Sequence, residues 1–320
     1  MIKIQTKNLH QALTDKNKKL FKKVPHTDLH CHGILSAPFS ALKQISPKIK
    51  LPPKYFDNII DFNLYLRNNI APVVRDLETV RCLIKKSFSR LIKEGVVYSE
   101  MSFDLTIPEH LGVSLEDYLA VIAEEKERVS NKLKVCLEVG FDRDISPKKL
   151  LILFKKALKN NIFGSIDLYG NEGSRSIEDF IPIYKLADKH NLKLKAHIGE
   201  FGTAQDIKET VQKLNLQVVQ HGIAASQNED VMKFLAENKI YLNICPESNL
   251  ALKVVDCLSE HPIRRLFDNE VLVTVNSDDF SIFNKSVGQQ LIDLYATNLF
   301  SEKEIAQIID NGLKQPQYVN

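Results

Sequence analysis

The stretch His26-Thr27-Asp28-Leu29-His30-Cys31-His32-Gly33 decides how this chain is read. Val24-Pro25 precedes it and Gly33 ends it, so its alternation fits a short strand running into a loop. On an extended strand side chains two residues apart share a face, which lets His30 and His32 chelate one ion. A helix would splay them apart. Far along the chain, Val275-Asn276-Ser277-Asp278-Asp279 supplies a second polar strand end, and the two segments read as opposing jaws of one metal site.

Working outward, eight short β-rich runs alternate with longer helical patterns. They are His26 to Cys31, Val96 to Phe103, Leu133 to Gly140, Gly164 to Leu168, Leu192 to His197, Gln217 to His221, Ile240 to Cys245 and Val271 to Asn276. Several are nearly continuous in Val, Ile, Leu and Phe, as parallel strands covered on both faces require. Eight such strands predict an α/β fold, a closed (β/α)8 TIM barrel; the rival, a doubly wound open sheet, needs no eighth strand. Val80, Leu83, Ile84, Phe88, Leu91 and Ile92 form one helical stripe before the second strand. Ser176 with Asp179, and Ser301 with Glu304, predict capping boxes. The connection from about residue 33 to 95 carries Phe56, Ile59, Ile60, Phe62 and Leu66. It predicts a helical insertion that caps the C-terminal mouth and excludes water, the alternative being an extra helix packed outside.

At 320 residues, with 44% hydrophobic and 26% charged residues, the chain has the composition of a globular protein with a large core. No Pro/Gly/Ser-rich linker or repeat divides it, so residues 1–320 are expected to form a single domain. Lys and Arg exceed Asp and Glu by only 43 to 40, and much of the excess lies in the first 23 residues (Lys3, Lys7, Lys16, Lys18, Lys19, Lys22, Lys23). That basic N-terminal segment is expected to be a solvated helix or arm; a nucleic-acid arm is the minor alternative. No apolar run has the length of a signal peptide or a membrane span, so neither a membrane nor a nucleic-acid partner is expected. The five cysteines (Cys31, Cys82, Cys136, Cys245, Cys257) are odd in number and scattered, which supports neither a disulfide framework nor a thiolate metal site and predicts a reduced, cytoplasmic enzyme.

In a barrel of this kind the active site lies at the C-terminal strand ends. His30 and His32 end the first strand, His197 and Glu200 follow the fifth, His221 ends the sixth, and Asp278 and Asp279 follow the eighth. A lone histidine at a strand end is ordinarily structural, but this convergence is not. Three imidazoles and one carboxylate suit zinc and leave a position for water, whose pKa the ion lowers toward neutrality. His221 is then available as a base or electrostatic partner, and Glu200 as an acid. Cys245 follows an apolar strand and reads as a buried thiol; His10, His26, His110, His190 and His261 read as surface or structural residues.

At these residues the chain resembles the adenosine deaminase branch of the metal-dependent amidohydrolase superfamily. The resemblance runs from about residue 24 to 283 through Asp28-Leu29-His30-Cys31-His32, Asp167-Leu168-Tyr169-Gly170-Asn171-Glu172, Ala196-His197-Ile198-Gly199-Glu200, Gln220-His221-Gly222, Cys245-Pro246-Glu247-Ser248-Asn249, His261-Pro262-Ile263 and Val273-Thr274-Val275-Asn276-Ser277-Asp278-Asp279. It implies hydrolytic deamination of an adenosine-type 6-aminopurine to its 6-oxo product and ammonia, with one zinc ion per chain. His30, His32, His197 and Asp278 would bind the ion, Asp278 also orienting the attacking hydroxide. Glu200 would protonate purine nitrogen 1, and His221 would help deprotonate water and stabilise the tetrahedral intermediate. Asp279 would contact nitrogen 7 and the Gly170 amide nitrogen 3. Two departures stand out. His32-Gly33-Ile34-Leu35 replaces the family's Leu-Asp-Gly or Leu-Glu-Gly after the second histidine, and Ile34 cannot accept a hydrogen bond from a sugar hydroxyl. Tyr169 replaces a small residue. Adenine or a modified adenine nucleoside is therefore an alternative substrate, a different amidohydrolase reaction an alternative activity, and an inactive purine-binding barrel the non-enzymatic alternative.

Overall fold

The β-branched and aromatic runs form eight strands: β1 (His26–His32), β2 (Val96–Asp104), β3 (Lys134–Asp142), β4 (Phe163–Tyr169), β5 (Lys193–Ile198), β6 (Val218–His221), β7 (Tyr241–Ile244) and β8 (Leu272–Val275). The computed structural model describes residues 6–315; Lys3 of the basic segment lies outside them. All pairings are parallel, in the order β1 to β8. The edges of an open sheet would stay apart, whereas here Cys31 pairs with Asp278 and brings β8 back to β1. Side chains complete that seam: the Leu29 amide donates to Asn276 Oδ1 at 2.8 Å, and the Ser277 amide to Asp28 Oδ1 at 3.0 Å. The Asp278 amide donates to the His30 carbonyl at 2.9 Å. This is the (β/α)8 barrel that the strand count predicts.

Between Asp28 and Cys31 the register against β2 slips, so Asp28 faces Ser99 and Cys31 faces Met101. Three steps on β1 thus match two on β2, a bulge at Leu29-His30. Its consequence is local. Leu29 packs inside the barrel with Tyr98 and Cys136, and strict alternation would then send Cys31 inward and both histidines out. The extra residue resets the phase, so Cys31 joins the outer core and His30 turns in toward His197.

Below the mouth the interior is ionic rather than apolar. Lys193 and Lys195 on β5, Glu100 on β2 and Glu138 on β3 are each at most 1% exposed. Lys195 Nζ lies 2.6 Å from Glu138 and 3.1 Å from Glu100, and Lys193 Nζ lies 2.5 Å from Glu100. Two lysines face two carboxylates in this layer; burial lifts Glu138 to about 7 against the pull of Lys195, and the hydrogen bonds offset part of the desolvation cost.

The insertion after β1 does cap the mouth. Helix Ile59–Tyr65 and the π-helical turn Leu66–Ile70 bring Ile59, Phe62 and Leu66 to the cavity, and Phe62 stacks on Phe283. Phe56 supports the cap from behind, edge-on to Phe62, but Ile60 turns away and is 60% exposed. The helix Leu77–Glu94 buries Val80, Leu83, Ile84, Phe88 and Leu91 as its stripe predicts, ending at Gly95 in the left-handed region. Ser301 and Glu304 form the expected capping box. Ser176 forms none, because Ile177–Phe180 is a 3-10 turn and the hydroxyl donates to Glu178 instead. A capping box that sequence reading passes over, Thr203 with Asp206, starts the helix after β5. Of the helix or arm expected for the basic segment, its described part is helical: Thr6–Thr14 and Lys18–Phe21 dock on Val287–Ala296 through buried Leu9, Ala12, Leu13 and Phe21, with their lysines outward. Among the described residues no helix is long and apolar enough to cross a membrane.

Candidate active site

The structure gathers His30, His32, His197, Glu200, His221, Asp278 and Asp279 at the C-terminal ends of β1, β5, β6 and β8, as the barrel reading requires. His30 Nδ1 donates to the Asn243 carbonyl at 3.2 Å, and His197 Nδ1 donates to Asp167 Oδ1 at 3.1 Å. With both Nδ1 protons so placed, the two Nε2 lone pairs face each other at 2.9 Å. Lone pairs at that spacing demand positive charge beside them. His32 Nε2 stands 3.4 Å from Asp278 Oδ1 and His30 Nε2 3.9 Å from the same oxygen. The ligand atoms of His30, His32 and His197 lie within 4.8 Å of one another, as do those of His32, Asp278 and Asp279. Cys245 Sγ lies 3.4 Å from His30 Nδ1; the thiol is wholly buried, and burial pushes its pKa well up, which leaves no reactive thiolate.

The electrostatics point the same way. Burial works to lower the pKa of His32, yet the Asp279 and Asp278 carboxylates outweigh it and push it up to about 10, so this point attracts a cation. Burial would raise Asp278, but the histidines around it, His32 first, hold it well below the usual carboxylate range. Asp278 and His221 both adopt left-handed backbone, φ 56° and 60°, a conformation that β-strand ends rarely give a side-chain-bearing residue and that local strain at functional sites explains.

Burial, then the neighbouring Asp278 and Glu172 charges, drive the Glu200 pKa well above the ordinary value, the direction that an acid in this place requires. Its loop is fixed by Glu172, whose carboxylate accepts from the amides of Gly199, Glu200 and Phe201 at 2.7, 2.9 and 2.9 Å. Gly199 must be glycine there: φ is +72°, and a Cβ would meet Ile207 at 2.3 Å. Asn249 bridges Glu200 and His221, donating to Glu200 Oε1 at 3.1 Å and to His221 Nδ1 at 3.3 Å, while its own Oδ1 accepts from His261 at 3.3 Å. His221 therefore carries its proton on Nε2, 3.7 Å from Asp278 Oδ2.

Asp279 is 4% exposed, and its Oδ1 has no hydrogen-bond partner. Burial raises its pKa, His32 pulls it down and Asp278 raises it again, to about 7. Gly170 lines the same cavity with φ +96°. Tyr169 lines it too, donating to Asp104 Oδ2 at 2.7 Å with its ring against His32. Asp167, Glu172 and Asn249 are the residues that sequence reading leaves without a role. The usable signal for Asp167 is chemical: a buried ligand histidine needs an acceptor for its second nitrogen. His261 is buried as expected of a structural residue, and it also anchors Asn249. His110, assigned no part, lines the outer cavity, whose volume is about 410 Å³.

A family model described as adenosine deaminase matches residues 32–318. A Treponema pallidum protein provisionally named an adenosine/adenine deaminase is 34% identical over 289 residues, which is 90% of this chain and 96% of that protein. The adenosine deaminase of Clostridium botulinum is 25% identical, over 85% of this chain and 87% of its own. The crystal structure of an adenine deaminase from Arthrobacter aurescens superposes with a TM-score of 0.83 at 25% identity, covering 92% of this chain and 94% of that one. With the family's pattern spanning nearly its whole length and the residues of that pattern drawn into one cavity, the chain belongs to the adenosine deaminase family.

Proposed function

We propose that this protein is a hydrolytic deaminase of a 6-aminopurine, with one zinc ion held by His30, His32, His197 and Asp278. The observation that carries the reading is the 2.9 Å approach of His30 Nε2 to His197 Nε2, each ring with its Nδ1 on an acceptor, beside an Asp278 carboxyl held low and a Glu200 carboxyl pushed up. Bound there, zinc supplies the Lewis acidity that activates water near neutral pH. Glu200 gives its proton to nitrogen 1 and makes carbon 6 electrophilic. Asp278 orients the attacking water and takes up its proton, because His221, already protonated on Nε2, has no free lone pair for it. The His221 Nε2–H then stabilises the oxygen that adds to carbon 6. Asp279, raised to about 7, holds nitrogen 7 and donates to that acceptor in its protonated form; the Gly170 amide faces nitrogen 3. The bond from carbon 6 to nitrogen breaks as the amine takes the proton held by Asp278; ammonia leaves, the carbon 6 hydroxyl returns a proton to Glu200, and the 6-oxo purine remains.

A two-metal amidohydrolase reaction finds no support in the interior. Lys195, two residues before His197, has its ammonium committed to Glu138, Glu100 and the Leu29 carbonyl. A metal content of one per chain is expected. The whole chain acts as one barrel unit, and its five cysteines, all free, suit a reduced, cytoplasmic setting. Metal-loaded protein should release ammonia from at least one of adenosine, deoxyadenosine, adenine or a modified adenine nucleoside; silence across that panel refutes the reading. Glu200→Gln should retain the metal and lose at least about 100-fold in turnover. Loss of metal in that variant would make Glu200 a ligand rather than the acid.

A further inference from the structure

The cavity extends well beyond the histidine cluster, and its outer lining divides by chemistry. One wall is oxygen-rich: Ser102 and Asp104 at the end of β2, Asp142 at the end of β3, and Tyr118 behind them. Ser102 Oγ and the Tyr118 hydroxyl are buried and have no hydrogen-bond partner, so this wall is short of polar contacts that a ligand could supply. Asp142 Oδ1 adjoins Gly170 so closely that a Cβ on the glycine would lie 2.9 Å from it. The underside of the cap and the loop after β1 supply a largely apolar lining, Ile34, Leu35, Ile59, Phe62, Leu66 and Ile70, with Asn63 and Arg67 among them.

A purine set with carbon 6 at the histidine cluster, nitrogen 1 at Glu200 and nitrogen 7 at Asp279 directs nitrogen 9 away from the ligands, toward this divided space. Whatever nitrogen 9 carries begins beside Gly170 and Asp142 and ends under the cap. Arg67 is the one lysine or arginine among the described lining residues, and Asp104, Asp142 and Asp144 stand around the same space. A phosphate there would meet net negative charge. A terminal hydroxyl seated against the Ile34, Leu35 and Ile59 side chains would be desolvated with no acceptor from any of the three.

We infer that the substrate is an adenine nucleoside whose sugar hydroxyls meet the Asp142 wall and whose 5′ carbon ends in an uncharged, apolar group, as in a 5′-deoxy- or 5′-alkylthioadenosine. The inference rests on the deaminase reading. A group that gains apolar contact where a hydroxyl loses hydration is favoured by about ten-fold or more in kcat/KM. The test compares kcat/KM of the metal-loaded protein for 5′-methylthioadenosine, 5′-deoxyadenosine, adenosine, adenine and adenosine 5′-monophosphate. The first two should exceed adenosine by at least about ten-fold, with adenine and the monophosphate lower still. Ile34→Asp should close most of the gap by favouring adenosine, and Asp142→Asn should weaken the nucleosides while leaving adenine within about three-fold. Adenosine equal to or better than the 5′-apolar nucleosides, or adenine or the monophosphate as the preferred substrate, overturns the inference and leaves the deaminase reading intact. No ammonia from any member of the panel removes both. The wild-type panel decides the matter even if a variant does not fold.

Discussion

Removing the Asp167 carboxylate tests whether the histidine cluster is a metal site and what prepares it. Asp167 is wholly buried on β4, with Oδ1 3.1 Å from His197 Nδ1. In Asp167→Ala the Nδ1 proton loses its acceptor, and the imidazole becomes free to move that proton to Nε2, where a ligand needs its lone pair. A hydrogen bond to a charged group is worth about 1.5–3 kcal/mol net. At about 1.4 kcal/mol per decade, this translates to a 10- to 100-fold loss of metal affinity. Asp167→Asn should fall between, since an amide oxygen still accepts from Nδ1 but without charge. The assay is competitive titration of zinc against a chelator of known affinity, with circular dichroism and urea unfolding of metal-free protein recording whether the fold survives. A folded Asp167→Ala protein whose zinc Kd stays within about three-fold of wild type refutes the argument that Asp167 sets the His197 tautomer for a metal.

Other consequences are independent of turnover. Lys195→Met leaves Glu138 and Glu100 buried without that cation, which should cost about 3–5 kcal/mol in urea unfolding, and a loss below about 1 kcal/mol would show that the ionic layer is not structural. Acid should weaken the fold: burial, helped by Arg90, lowers His26 to about 4 despite its bond to the Val24 carbonyl, and burial lowers His261 to about 3. Both folded-state values lie below the ordinary histidine value near 6.5, so the stability is whole above that pH and drains as pH falls from there through the folded-state values. Each histidine removes about 1.4 kcal/mol per pH unit in that window, and His26→Gln should flatten the slope of unfolding free energy between pH 6.5 and 4.5. An unchanged slope would mean His26 is not buried in neutral form.

What was legible in the sequence was periodic or compositional. Eight apolar runs separated by helical stripes gave the barrel, and strand bounds fell within two residues of those observed. Polar residues at strand ends gave the site because the fold class itself says where strand ends converge. The rest depends on partners distant in sequence. Nothing in Asp28-Leu29-His30 announces a bulge, because its cause is the packing of Leu29 against Tyr98 and Cys136 on neighbouring strands. Lys193 and Lys195 look like the polar face of an ordinary strand until Glu100 and Glu138 arrive from β2 and β3. The N-terminal lysines suggest a solvated helix or arm; the segment is helical, but the density of lysines masks the narrow stripe of Leu9, Ala12 and Leu13 that docks it.

The barrel's closure and its site are one structural event. At the seam between β8 and β1, ladder bonds are replaced by Asn276 accepting from Leu29, Asp28 accepting from Ser277, and the Asp278 amide donating to the His30 carbonyl. Arg90, 3.6 Å from Asp28 and bonded to the Ser36 carbonyl, ties the seam to the loop that begins the cap. His30 and Asp278 therefore reach their positions only when the last strand finds the first, and an ion held by both would stabilise the closed barrel over any open form by mass action. The left-handed backbone at Asp278 follows from the same constraint: the chain must turn sharply after β8 to return its amide to His30 and its carboxylate to His32 at once. In this molecule the left-handed link that returns the chain from β8 to β1 also brings Asp278 to the histidines, which accounts for a cluster split between the two ends of the sequence.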